Sequence, residues 1–122
     1  SNVWNNDAKG WCACYWGGRP TEDWMFKAAY TNDTKWNDTA WKGTESSKRF
    51  NALVKQAQAE LDTTKRRELY YECQTLVSDD GGSIIPLFNS YVSANSKAIA
   101  HNEIAANWDS DGAKCVERWW FA

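Results

Sequence analysis

Apolar positions recur with a helical period in only part of the chain. Phe50, Leu53, Val54, Ala57 and Leu61 stand at i, i+3, i+4, i+7 and i+11, which places them on one stripe of a helix over about 48–61, starting after Ser46-Ser47. Asp62-Thr63-Thr64 then caps a second helix with the stripe Leu69, Cys73, Leu76 and Val77. It stops at Asp79-Asp80-Gly81-Gly82, where glycine can take the left-handed conformation that ends helices. These two elements predict a tight helical pair. A briefer helix is expected near 21–30, because the Thr21 hydroxyl can cap free amides while Glu22 and Asp23 meet the positive end of the helix dipole.

Other segments read differently. Trp11 to Trp16 suggests a short strand followed by a turn at Gly17 and Gly18. Residues 31–47 are rich in Thr, Asn, Asp, Lys and Ser, with Trp36 and Trp41 as isolated rings, which predicts a long exposed loop pinned by two anchors. Ser83 to Asn95 is strand-like, and Pro86, which cannot donate to a ladder, assigns it an edge position or a strand start. Residues 97–111 fit neither period. The tail 113–121 puts Val116, Trp119 and Trp120 on one face of a short helix. No internal repeat is present.

Length and charge narrow the function classes. The 122 residues make one compact domain or part of a larger one. Fourteen Lys+Arg against sixteen Asp+Glu leave a net charge of −2, which gives no global field towards nucleic acid or an anionic membrane. The longest apolar runs, such as Ile84-Ile85-Pro86-Leu87-Phe88, fall far short of the roughly 20 residues of a spanning helix. Ser1-Asn2-Val3-Trp4 shows no basic and apolar leader, so the N-terminus does not indicate a compartment.

Nine Trp, beside five Tyr and four Phe, concentrate the apolar mass in large rings that either fill a core or floor a binding site. The richest local signal runs from Gly10 to Asp23. Trp11, Tyr15 and Trp16 lie beside glycines that allow close backbone approach, and Arg19, Glu22 and Asp23 supply both charge signs. A strand with free amides and carbonyls, flanked by rings, can hold an extended solute. The same residues equally describe a core strand and a solvated turn.

The four cysteines permit an oxidising compartment without requiring one. Cys12-Ala13-Cys14 lacks the two-residue spacer of redox and zinc pairs, and the spacings favour neither a metal site from Cys12, Cys14, Cys73 and His101 nor a Cys/His nucleophile pair. Cys73 and Cys115 fit either two buried small hydrophobes or one bridge between helix and tail. Lys65-Arg66-Arg67 opposes the dipole of its helix, for which exposed salt links to Glu60, Glu68 or a partner would be sufficient reason. Asn32-Asp33-Thr34 and Asn37-Asp38-Thr39 match the glycosylation pattern, a short motif that arises readily by chance in so Asn- and Thr-rich a loop. No phosphate-cradling loop, nucleophile elbow or His-Glu-x-x-His motif is present, so no enzyme, cofactor or metal is implied.

Several segments in order resemble one family. They are Gly10-Trp11-Cys12-Ala13, Phe50-Asn51-Ala52-Leu53-Val54, Glu60-Leu61-Asp62 with Lys65-Arg66-Arg67-Glu68-Leu69-Tyr70, Leu76-Val77 before Asp79-Asp80-Gly81, and Ile84-Ile85-Pro86-Leu87. Arg19-Pro20-Thr21 with Asp23, and Glu117-Arg118-Trp119-Trp120-Phe121-Ala122, look like features of one branch. Together they resemble the C-terminal portion of the extracytoplasmic solute-binding proteins of ABC importers, in the peptide/nickel-type family, also called family 5.

That resemblance implies an α/β, two-lobed fold of the type II periplasmic-binding-protein kind, of which this chain would be the last part and not a complete independent domain. Residues 1–47 would belong to the ligand-binding lobe and residues 48–122 would return toward the first lobe. The implied partners are the remainder of the same protein, a membrane permease and a small solute, peptide-like or other, in a periplasmic or extracytoplasmic setting.

The ligand contacts it implies, joined with those read from the residues, are Gly10, Trp11, Cys12, Cys14, Tyr15, Trp16, Arg19 and Asp23. Oligopeptide-binding relatives carry an Asp for the peptide ammonium where Cys14 stands here, and a thiol cannot replace a desolvated carboxylate opposite a cation. Arg19 has no counterpart in the oligopeptide pattern, and its fork suits a carboxylate or phosphate unless Glu22 or Asp23 neutralises it. Cys12 matches a cysteine that relatives can pair with one far upstream. Two other classes remain as alternatives: a Trp-rich carbohydrate-binding module, and a thiol enzyme using Cys12 or Cys14 with His101.

Overall fold

A computed structural model describes residues 10–37 and 39–122. They fall into two compact units. One contains residues 10–16 and Thr21–Ile85, and the other contains Gly17–Pro20 and Pro86–Ala122.

The first unit is helical. Helix α1 spans Glu22–Ala29, α2 spans Glu45–Ala59 and α3 spans Thr63–Asp80. Each begins at a side-chain cap: Thr21 accepts from the Trp24 amide, Thr44 from the Ser47 amide and Asp62 from the Lys65 amide. Helix α2 starts earlier than its apolar stripe requires, because Thr44 rather than a later residue supplies the capping oxygen. It also ends before Leu61, which lies between the helices and is 91% exposed instead of completing the stripe. The chain stops being helical at Gly81, and Gly82, not Gly81, takes the left-handed φ of +73°.

Phe26, Ala29 and Tyr30 from the first helical segment, Phe50, Leu53, Val54 and Ala57 from α2, and Tyr70, Cys73 and Val77 from α3 form the core with Trp41. Phe50 is its centre, with ring centroids at 5.5 Å from Phe26, 5.2 Å from Trp41 and 6.4 Å from Tyr30. Of the two rings expected to pin the loop, only Trp41 is buried; Trp36 is exposed beneath Lys35. The indole N–H of Trp41 donates to Asp80 at 3.0 Å, and the Ser46 hydroxyl bonds the same carboxylate. Asn37 does the rest of the pinning, donating from Nδ2 to the carbonyls of Tyr30, Thr31 and Trp41 and accepting from Thr39. That burial removes Asn37 from the glycosylation reading.

The second unit contains β1 (Ile99–Ala100), a left-handed helical turn α4 (Asp109–Ala113), one turn of helix α5 (Cys115–Arg118) and β2 (Trp120–Phe121). The strands pair antiparallel, Ile99 opposite Phe121 and Ala100 opposite Trp120. Val116 is exposed, so the tail helix does not bury the face expected of it.

Among the described residues the two-stranded β1–β2 sheet is the whole of the sheet structure. Trp11 to Trp16 and Ser83 to Asn95, both expected as strands, have no ladder there. A strand needs a neighbour, and the pattern alone cannot supply one. This helical fold with a small antiparallel sheet lends no support to the α/β two-lobed architecture that the resemblance implies.

Candidate functional site

The segment that carried the strongest sequence signal is extended and irregular. Gly10, Trp11, Cys14 and Tyr15 are exposed, with Trp11 at 79% and Tyr15 at 92%, while Cys12 is half-buried. Trp16 differs from its neighbours, because its ring packs against the helical core and anchors the segment there. Among the described residues a Cβ at Gly10 would meet no atom within 4 Å.

Arg19 belongs to the second unit, and its guanidinium folds back to donate to the carbonyls of Gly17 at 2.8 Å and Gly18 at 3.0 Å. Its carbon lies 6.0 Å from the centroid of the Trp108 ring, within cation–π range. Neither Glu22 nor Asp23 forms an ion pair with it among the described residues. Gly18 packs close to the Tyr91 hydroxyl: a Cβ there would lie 2.6 Å from it, so the tyrosine side chain would have to shift.

Asp23 faces the helical pair. Its Oδ1 accepts from Gln58 Nε2 at 2.9 Å and from the Tyr70 hydroxyl at 3.0 Å, tying α1 to α2 and α3. Burial, and then this carboxylate, push the Tyr70 phenol well above its ordinary range, so it stays a neutral donor. Asp23 is thus a structural acceptor already holding two partners. Beside it an open cleft of about 370 Å³ is lined by Thr21, Asp23, Trp24, Lys27 and Ala28. Trp24 was not singled out from the sequence, although Phe26, Ala29 and Tyr30 define the buried face and leave position 24 to the outer one.

No family model, curated protein or solved structure matches this chain.

The thiols divide by environment. Cys73 is fully buried and unbridged, and burial, then Glu72, raises its pKa to about 11, which makes it an inert core residue at neutral pH. Cys115 is only half-buried, so of these two thiols Cys73 alone fits the reading as a fully buried small hydrophobe. His101 places Nδ1 2.7 Å from the Asn102 carbonyl and its ring 5.1 Å from Trp119. Among the described residues no group of three or more His, Cys, Asp or Glu side chains is placed to hold a metal ion. No helix there is long and apolar enough to cross a membrane. Lys65, Arg66 and Arg67 form no ion pair with Glu60 or Glu68 among the described residues; Glu60 instead accepts from the Asp62 amide.

Proposed function

We propose that the chain supplies part of an extracytoplasmic solute-binding subunit of an ABC importer, which captures a small solute, peptide-like or other, by lobe closure and delivers it to a membrane permease. The observation that carries this reading is the exposure of Trp11 and Tyr15 on a backbone segment without a strand partner among the described residues. Exposed aromatic surface on an extended segment suits an extended solute, gripped through backbone bonds and ring contacts. Ile84, Phe88 and Val92, each at least 90% exposed, add apolar surface of the kind that the remainder of a larger protein would cover. Closure follows if the solute binds the shut form better than the open one.

In this reading Gly10, Trp11, Cys12, Cys14 and Tyr15 line the solute, and Trp16 steadies them from the core. Arg19 commits Nη1 to the Gly17 and Gly18 carbonyls, so as an anion clamp it would use its Nε and Nη2 donors. Asp23 keeps its place between the helices.

Native mass spectrometry on protein purified without denaturation tests the proposal. A retained small-molecule adduct or companion chain is expected, with adduct affinity about tenfold weaker after Trp11→Ala or Tyr15→Ala, equivalent to roughly 1.4 kcal/mol. A bare monodisperse species of 13.9 kDa would overturn it. Retention on insoluble polysaccharide, lost with the same substitutions, would replace it with the carbohydrate-module reading.

A further inference from the structure

Among the described residues the buried members of the hydrophobic cluster run from Phe26 to Val77 and none comes from the C-terminal segment, so a different interaction must hold that segment's own fold. There the buried centre is a carboxylate. Asp111 is 3% exposed and accepts from the Ala105 amide at 2.7 Å and the Trp119 indole N–H at 3.0 Å, and it pairs with Arg118 at 2.9 Å. One side chain thus joins the loop after β1, the helix α5 and the start of the tail.

The backbone around that carboxylate is strained. Ser110, Asp111, Gly112 and Ala113 have φ of 50°, 62°, 70° and 62°, a left-handed run that residues with a Cβ adopt only at a cost. The charged or titratable groups acting on Asp111 are Arg118 from α5 and His101 just after β1, and both favour its ionised form. Arg118 also donates to the Glu103 carbonyl at 3.1 Å, while the side chains of Asp109, Lys114 and Glu117 belong to exposed residues. Two residue pairs between β1 and β2 are too few to hold the segment unaided.

We infer that residues 98–122 form a clasp closed by the ionised Asp111 carboxylate, and that the clasp opens as a unit when this group is neutralised while α1, α2 and α3 stay folded. Protonation or amide replacement removes the charge and turns one of the two accepting oxygens into a donor, so the Ala105 amide and Arg118 on Oδ1 and the Trp119 indole on Oδ2 cannot all keep an acceptor, and the left-handed run then relaxes. The Ala105 amide, then Trp119 and Arg118, outweigh burial and hold Asp111 below its ordinary value of 3.8. The closed form is therefore fully present above that value and lost as pH falls through the depressed one. The inference does not depend on what the aromatic segment binds.

The experiment is hydrogen exchange by mass spectrometry on the whole chain, with nuclear magnetic resonance of the Trp119 indole N–H. In Asp111→Asn at neutral pH, exchange across 99–105 and 115–121 is expected to rise about tenfold or more, with α2 and α3 unchanged. The Trp119 indole signal should move to the position of a solvated ring. Asn tolerates the left-handed region as Asp does, so this loss reports the carboxylate and not the backbone. Wild type should show the same change reversibly on acidification below 3.8, and the Asn variant should show no such step. Arg118→Gln, which keeps the carboxylate but removes one partner, should move that step to higher pH. Unchanged exchange in Asp111→Asn, or loss of α2 and α3 together with the tail, would overturn the inference.

Discussion

The helical unit and the C-terminal unit are held by opposite means. In the first, rings and aliphatic side chains converge on Phe50, and the polar groups that enter the interior serve to close loops over it. In the second, the most buried side chain is Asp111, surrounded by N–H donors, with apolar residues such as Val116 and Phe121 facing outward. A hydrophobic interior is non-directional and tolerates small shifts, whereas a carboxylate with fixed donors depends on its charge and geometry. The two units should therefore fail under different perturbations.

The largest expected effect is at the aromatic hub. Phe50→Ala leaves a cavity among Phe26, Tyr30 and Trp41 and should destabilise the helical unit by about 3–5 kcal/mol, read from urea denaturation followed by far-ultraviolet circular dichroism. The Trp119 indole signal should survive in conditions where α2 and α3 have melted; concerted loss would show that the comparison is wrong. Asn37→Ala tests the polar part of the same unit. It leaves three carbonyls without their shared donor and should cost about 1–3 kcal/mol in the same assay.

The smallest effect is expected from Gly112→Ala in the clasp. An Ala there must take φ near +70°, with its Cβ 2.8 Å from the Asn107 side-chain oxygen, so about 1–2 kcal/mol of local stability should be lost. Faster amide exchange confined to 99–105 and 115–121 would sharpen the contrast. Exchange that spread into α2 would erase it.

The helices were legible because their information is local and repeated. Phe50, Leu53, Val54 and Ala57 declare a buried face by spacing alone, and Thr21 and Asp62 mark starts that the structure uses as caps. Leu61 illustrates the limit: it fits the stripe by number, yet Glu60 has already left the helical conformation. Strand-like runs were less informative, because alternation specifies a face but not a neighbour. Trp11 to Trp16 and Ser83 to Asn95 carry suitable residues and find no ladder among the described residues.

The candidate site divided for a similar reason. Trp11 and Tyr15 are exposed as a binding surface requires, but Trp16 is spent on the core, and Asp23 on Gln58 and Tyr70. Nothing in the local sequence distinguishes Trp16 from Trp11. Asp111 lay in a stretch with no periodic signal, since its burial depends on donors at Ala105, Arg118 and Trp119.

The sequence by itself determined where α1, α2 and α3 form and which of their faces are apolar, because helix spacing and capping act within a few residues. Only the tertiary structure decided which rings became interior, which carboxylates became structural acceptors and that the tail closes around Asp111. Those outcomes depend on partners distant in sequence, and a side chain's type does not say which of them it will meet.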